Sequence, residues 1–115
     1  MRVTSAMWVA VYLRRVQGEG AYATQARKGS PEAGAIFILI DRLDGGCDLY
    51  GPAPQLVYEE GVVDERRFER LIERGAHSEI TERLSREEKL DPDFWVVEVE
   101  DRSGRNFLGE SLAQP

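Results

Sequence analysis

The chain has 115 residues, of which 42% are hydrophobic and 31% are charged, so it has the length and composition of one globular domain. Its net charge of −6 disfavours general binding to nucleic acid, because an acidic protein repels phosphate groups at long range. A single cysteine and a single histidine exclude an internal disulfide and a structural zinc site within one chain. The apolar runs are shorter than the roughly 18 residues that span a bilayer, and the N-terminus does not resemble a signal peptide. We therefore expect a cytoplasmic protein without a membrane span.

The charges are unevenly divided between the two halves of the chain. Residues 1–58 carry six Lys/Arg and five Asp/Glu, whereas residues 59–115 carry nine and sixteen, which gives +1 and −7. We therefore expect a surface for an anionic partner, if the protein has one, to lie in the first half.

A capping residue followed by apolar residues at helical spacing predicts a helix over residues 5–17. Thr4 or Ser5 can accept hydrogen bonds from the first free amides, and Gly18 and Gly20 permit the helix to end. The apolar residues that recur three and four positions apart are Trp8, Val9, Tyr12, Leu13 and Val16. A strand is the alternative interpretation, because several of these residue types also favour sheets.

Three strands are predicted next, over residues 21–28, 34–40 and 47–50. The turn-forming residues 29–33 indicate that the first two strands form an antiparallel pair. The unbroken apolar run of the second strand is typical of a central strand that is covered on both faces. Asp44-Gly45-Gly46 predicts a second hairpin, and the prolines at positions 52 and 54 end the third strand.

The second half of the chain predicts two short amphipathic helices. The first is capped by Asp64, ends at Gly75 and has one apolar stripe, formed by Phe68, Leu71 and Ile72. The second is capped by Ser78, carries Ile80 and Leu84, and ends by Asp91-Pro92.

A last hairpin and a tail complete the predicted order of elements. The strand over residues 94–100 places Trp95, Val97 and Val99 on one face and Glu98 and Glu100 on the other. Residues 101–104 turn the chain into a strand over 105–108, which ends the single domain at residue 108, and residues 109–115 form a tail. The predicted fold is α+β, with the order α-β-β-β-α-α-β-β, an antiparallel sheet of four to five strands and about three helices.

Four strings of residues resemble the domain-of-unknown-function family numbered 1491, which is found in alphaproteobacteria. These strings are Trp8-Val9-x-x-Tyr12-Leu13-Arg14-Arg15, Lys28-Gly29-Ser30-Pro31-Glu32-Ala33-Gly34-Ala35, Leu49-Tyr50-Gly51-Pro52-Ala53-Pro54 and Asp91-Pro92-Asp93-Phe94-Trp95-Val96-Val97-Glu98. The chain departs from the usual family pattern at Ser30 and Glu32, where members have Asp. The resemblance implies a compartment and a single-domain build, but no activity, substrate or catalytic residue.

The candidate partner-binding residues are basic or aromatic residues of the first half. A helix end beside the first strand would bring Arg14, Arg15, Arg27 and Lys28 into one anion-binding patch. The alternative is that the first two complement the helix dipole and the last two flank a turn. Tyr50 precedes a Pro-spaced segment that either presents an extended ligand or crosses rigidly out of the sheet. The tryptophans Trp8 and Trp95 are interpreted as core residues rather than interface anchors.

The candidate chemical residues give a weaker pattern. The carboxylates of Asp41, Asp44 and Asp48 offer an alternative metal site, and Asp91 and Asp93 add carboxylates for a hydrolase or nuclease. The spacing fits no calcium loop, and Asp44 is explained by the hairpin turn. His77 as a general base and Cys47 as a nucleophile both lack a visible partner in the sequence. The sequence therefore favours a non-enzymatic binding or adaptor protein without a cofactor, with an unknown protein partner or a homodimer.

Overall fold

The first helix, α1, spans Ser5–Gly18 in the computed structural model, which describes residues 3–54 and 66–113. The Thr4 hydroxyl accepts a hydrogen bond from the Met7 amide at 3.1 Å, as expected of an N-cap residue. The first two helical amides, of Ser5 and Ala6, donate to the carbonyl groups of Glu32 and Pro31. The predicted helix over residues 5–17 is confirmed.

Five strands form one mixed sheet with the spatial order β1-β5-β2-β3-β4. The strands are β1 Tyr22–Arg27, β2 Ile36–Asp41, β3 Cys47–Pro52, β4 Phe68–Gly75 and β5 Trp95–Glu100. The central pair β2–β5 is parallel and the other three pairs are antiparallel. The predicted class, α+β with one sheet, is therefore correct, whereas the prediction of a purely antiparallel sheet is wrong.

The second helix, α2, spans His77–Leu90 and lies on the face of the sheet opposite to α1. Alternate residues of β2 divide between the two faces: Ile36, Ile38 and Ile40 pack with α1, and Phe37 and Leu39 pack with α2. The described residues contain these two α-helices and one 3-10 turn at Gly109–Ser111, fewer than the three helices predicted. Within the described ranges, neither helix is long and apolar enough to cross a membrane.

The predicted hairpin between β1 and β2 is wrong, because β5 lies between these two strands. The loop over residues 29–34 instead packs against the start of β5. A Cβ atom at Gly29 would lie 2.5 Å from the carbonyl oxygen of Asp93, and one at Gly34 would overlap the same oxygen. The Ser30 amide donates to this oxygen, and the Ser30 carbonyl accepts from the Trp95 indole at 2.8 Å. The second and fourth family strings therefore form one packed junction.

The predicted helix over residues 64–75 is also wrong, because Phe68–Gly75 is the edge strand β4. Its cap, Asp64, lies outside the described residues. The register between β3 and β4 shifts twice, which interrupts the period-2 pattern and leaves a spacing that is also typical of a helix. The helix predicted from Ser78 begins at His77 and ends at Leu90, before Asp91.

The chain after β5 turns at Asp101, whose carbonyl accepts the Gly104 amide, but residues 105–108 form no strand. These residues instead pack under α1, where the Asn106 carbonyl accepts a hydrogen bond from the Tyr12 hydroxyl at 2.6 Å and Leu108 is buried. Part of the predicted tail contacts the sheet, since Leu112 bridges Phe68 and the Ala113 amide donates to the Phe68 carbonyl.

Candidate functional site

The structure does not bring the four candidate cations together. Arg14 and Arg15 are exposed on α1, and the Arg15 guanidinium donates to the Phe107 carbonyl at 3.2 Å. Arg27 points to the other face of the sheet, where it contacts α2, and Lys28 is exposed at the end of β1. Of the four candidates, Arg14 and Arg15 therefore share a surface, the end of α1, without Arg27 or Lys28.

Arg27 ties the end of α2 to the sheet. Its guanidinium forms a 2.7 Å ion pair with Glu88, lies 4.0 Å from the centre of the Phe94 ring, and donates to the Phe94 and Pro92 carbonyl groups. These contacts use several N–H donors of Arg27 and place its guanidinium on one face of the Phe94 ring, so the structure assigns Arg27 a role in packing.

Tyr50 belongs to the core rather than to the surface. It is 3% exposed, and its hydroxyl accepts a hydrogen bond from the Asn106 amide at 3.3 Å. The residues that follow it, Gly51 and Pro52, pair with Glu69 and Phe68 of β4. The segment after Tyr50 is thus part of the sheet, and the buried Tyr50 ring is not available to a partner. The two tryptophans also pack in the cluster under α1, with Trp95 2% exposed and Trp8 half-buried.

Most of the candidate carboxylates hold turns or arginines. Buried Asp48 accepts from Arg42 at 2.7 Å and from the Arg74 backbone amide at 2.8 Å. The hydrogen bond from the Gly46 amide, followed by that from Arg74, lowers the pKa of Asp44. The side chain of Asp91 accepts the Asp93 amide in a local turn. These contacts give Asp44, Asp48 and Asp91 structural roles in turns and ion pairs.

A cavity of about 370 Å³ lies where β2 begins, β3 ends and β4 begins. Its described lining is mainly backbone and apolar side chains, with Arg66, Arg67 and one carboxylate, that of Asp91. A hydrolytic site with paired carboxylates is therefore not found in the described lining of this cavity.

The outer face of α1 exposes apolar side chains to solvent. Met7 is 54% exposed and Val11 is 53% exposed, and these residues are one helical turn apart. Ala10 and Arg14 are exposed on the same side of the helix, whereas Val9, Tyr12 and Val16 are buried on the other. We call the face formed by Met7, Ala10, Val11 and Arg14 the α1 outer face.

A second group of side chains meets at the opposite side of the sheet. Asp41 and Cys47 are directly opposite each other on β2 and β3, and His77 is the first residue of α2. One ligand atom from each lies within 4.8 Å of the others, and His77 Nε2 is 3.8 Å from Asp41 Oδ2. We call these residues the Asp-Cys-His cluster.

Burial distinguishes the three members of this cluster. Cys47 is buried, Asp41 is partly buried and the His77 side chain is 65% exposed. Burial, and then the Asp41 carboxylate, raise the pKa of the Cys47 thiol to about 11, so the free thiol is protonated at neutral pH. A thiol in this state is a poor nucleophile, and the cluster as it stands does not fit nucleophilic catalysis.

The sequence patterns identified single residues of the α1 outer face and of the Asp-Cys-His cluster, but not which residues lie together. The hairpin signal at Asp44-Gly45-Gly46 predicted that the strands before and after it pair, but not the register that sets Asp41 opposite Cys47. The position of His77 depends on β4, whose sequence pattern predicted a helix. The outer residues Met7 and Val11 lie outside the helical stripe that predicted α1, and this surplus of apolar residues was the available signal.

Comparison with known proteins places the chain among proteins of unknown function. A family model described as "Protein of unknown function (DUF1491)" matches residues 3–109. A crystal structure of a DUF1491 family protein from Caulobacter crescentus CB15 is 35% identical, with a TM-score of 0.78, and the match covers 99% of this chain and 100% of that chain. An NMR structure of a DUF1491 family protein from Caulobacter crescentus CB15 gives the same identity and TM-score.

A solution structure of a protein from A. tumefaciens is 42% identical, also with a TM-score of 0.78, and the match covers 87% of this chain and 86% of that chain. Comparison with curated proteins gave no significant match. The family match over most of the sequence, and the shared fold at these identities, agree with the four strings that indicated the family. The chain therefore belongs to the DUF1491 family, whose specific function is not known.

Proposed function

We propose that this protein is a cytoplasmic binding protein that uses the α1 outer face to hold a partner protein. The observation that supports the proposal is the pair of apolar side chains, Met7 and Val11, that are each more than half exposed on one side of a helix whose other side is buried. A single exposed apolar residue is ordinary on a protein surface, whereas two adjacent ones beside an arginine extend an apolar patch, and methionine and arginine are enriched at protein interfaces.

These side chains are not needed for the packing of α1. The residues that anchor the helix to the sheet are Val9, Tyr12 and Val16, each at most 2% exposed. Burial of Met7 and Val11 by a partner would therefore stabilise the complex, by on the order of 1 kcal/mol for each side chain, because neither is buried when the chain folds.

The charge of α1 indicates the kind of partner. The helix contains Arg14 and Arg15 and no acidic residue, in a chain whose net charge is −6. A partner with an apolar patch flanked by carboxylates complements this surface, because an exposed guanidinium pairs readily with a carboxylate. A second copy of the same helix supplies no carboxylate for Arg14, which favours a different protein over a homodimer.

The proposal is tested by affinity capture from the native cells with three immobilised proteins. These are the wild type, the α1 variant Met7→Ser/Val11→Ser, and a matched α2 variant, Glu82→Ser/Arg86→Ser, in which both replaced residues are also exposed and four positions apart. A true partner is retained by the wild type and by the α2 variant, and binds the α1 variant at least about tenfold more weakly.

The charge requirement is tested with the recovered partner and a second variant, Arg14→Glu. This change should weaken binding by a further factor that falls as salt is added, since exposed charge pairs are screened. Partners that bind all variants equally, retention of nucleic acid in place of protein, or self-association through α1 would each contradict the proposal.

A further inference from the structure

We propose that the Asp-Cys-His cluster, formed by Asp41, Cys47 and His77, is a binding site for a divalent transition-metal ion of the zinc class. This inference is independent of the proposed partner surface, which lies on the other face of the sheet. It is also distinct from the carboxylate set suggested by the sequence, with which it shares only Asp41. It differs from the closed Cys/His zinc site that the composition excludes, because a carboxylate is its third protein ligand and the fourth position stays open.

The backbone places the three ligands without help from flexible loops. The hairpin between β2 and β3 sets Asp41 opposite Cys47, so both side chains leave the sheet on the α2 face. Gly75 at the end of β4 pairs with Cys47, and α2 begins two residues later with His77. The imidazole therefore lies over the Asp41–Cys47 pair, and a ring nitrogen, the thiol sulfur and a carboxylate oxygen are within 4.8 Å of one another.

The ligand set matches the preferences of zinc and its neighbours in the periodic table. Thiolate sulfur, imidazole nitrogen and carboxylate oxygen bind Zn²⁺ at distances of about 2.0 to 2.3 Å. The ligand atoms must move closer than they are in this structure, and the His77 side chain is the member with the most room for this movement, because it is 65% exposed. Three protein ligands leave one tetrahedral position for water.

The surrounding charges favour a cation at this point. The carboxylates that act electrostatically on the Cys47 thiol are those of Asp41, Glu98, Asp48 and Asp44. Asp44 and Asp48 are paired with Arg74 and Arg42 in ion pairs of their own. Of the four carboxylates, it is Asp41 that has an oxygen within 4.8 Å of both the thiol sulfur and an imidazole nitrogen. When the ion binds, the thiol loses its proton to solvent and forms the metal–sulfur bond, with no change of oxidation state.

The composition of the chain makes this proposal unusually direct to test. Cys47 is the one thiol and His77 the one imidazole in the sequence, so a metal signal from either ligand type has a single source. The experiment uses the full-length protein without an affinity tag and titrates it with Co²⁺ under anaerobic, reducing conditions. We expect saturation at a single ion per chain, with a thiolate-to-cobalt charge-transfer band and the visible bands of tetrahedral cobalt, and displacement of both by Zn²⁺.

Four variants separate the ligands from their neighbours. Cys47→Ser should abolish the charge-transfer band, and His77→Ala and Asp41→Asn should each weaken Co²⁺ binding by at least about tenfold. Asp44→Asn is the matched control, because Asp44 lies in the same hairpin and an asparagine oxygen can still accept the Gly46 amide. This variant should bind Co²⁺ as the wild type does.

The His77→Ala variant tests the site even if Cys47→Ser does not fold, because His77 is exposed and its replacement leaves the core intact. Absence of a charge-transfer band at millimolar Co²⁺ would overturn the proposal. So would Co²⁺ affinity that is unchanged in His77→Ala, or that is lost in Asp44→Asn but kept in Asp41→Asn.

Discussion

The two helices have the same length, 14 residues, and cover opposite faces of one sheet, yet their solvent sides differ in kind. α1 has no acidic residue, buries Val9, Tyr12 and Val16, and still exposes Met7 and Val11. α2 carries four acidic and three basic residues, and Ile80 is its one fully buried side chain. Its large exposed apolar residue is Leu90, at the last position.

The two outer sides differ in whether contacts within the chain account for them. The charged outer side of α2 is what solubility and local ion pairs require, as in the 3.2 Å pair between Arg83 and Glu87. Neither solubility nor an ion pair explains the exposed apolar side chains on the outer side of α1. It is consistent with a surface that is kept for a partner, while α2 contributes its N-terminal His77 to the cluster on the other face.

The largest difference between the two helices is expected in the stability lost when a buried residue of each helix is replaced by alanine. Tyr12→Ala should lower the free energy of unfolding by about 4 kcal/mol, because it removes a buried ring stacked on Trp8 and a hydrogen bond to Asn106. Ile80→Ala should cost about 2 to 3 kcal/mol, since α2 covers a smaller cluster that can close around the change. Urea unfolding of both variants checks the order, and a larger loss at Ile80 would show that α2 is the better anchored helix.

A smaller, pH-dependent effect is expected at the turn that supports α1. The hydrogen bond from Arg105 lowers the pKa of the mostly buried Asp101 carboxyl, so the charged form is favoured in the folded state. Its contribution is complete above the unfolded-state pKa of about 3.9 and is lost as the pH falls through the lower folded pKa.

Replacement of this carboxylate measures that contribution. Asp101→Asn should destabilise the protein by about 1 kcal/mol at pH 7, and the gap from the wild type should shrink below about pH 4. Unfolding curves across this pH range test the sign, and a gap that widens in acid would contradict the assignment.

The smallest effect on stability is expected on the outer faces themselves. Met7→Ser/Val11→Ser and Glu82→Ser/Arg86→Ser should each change the free energy of unfolding by no more than about 0.5 kcal/mol per residue, because all four side chains are exposed. A much larger loss in the α1 variant would mean that Met7 and Val11 serve the fold, and the contrast between the helices would then need no partner.

Local patterns predicted the elements whose cause is local. The Thr4 cap and the stripe through Tyr12 were sufficient for α1, and the Asp44-Gly45-Gly46 turn was sufficient for the β2–β3 hairpin. The position of β5 between β1 and β2 was not predictable in this way, because the parallel β2–β5 ladder joins segments more than 50 residues apart and no turn specifies it. The same holds for β4, where two register shifts disguise the alternation of a strand.

The candidate sites follow the same division. Arg14 and Arg15 are placed by their own helix, so the sequence located them correctly on the α1 surface. Arg27 is separated from them because its side chain lies on the opposite face of the sheet, against α2. Tyr50 is buried because its side chain lies in the core cluster under α1. The meeting of His77 with Asp41 and Cys47 depends on β4 and α2 together, which no local pattern contains.

Site-specific photo-crosslinking in the native cells shows whether a partner protein binds to the α1 outer face. A benzoylphenylalanine side chain replaces either Ala10 on α1 or Ser85 on α2, both exposed, so Met7, Val11 and Arg14 stay in place. We expect a discrete adduct with one other protein from position 10 and not from position 85, and a weaker adduct in the Arg14→Glu background. Equal adducts from both positions, an adduct from position 85 alone, or no adduct from position 10 would contradict the proposal.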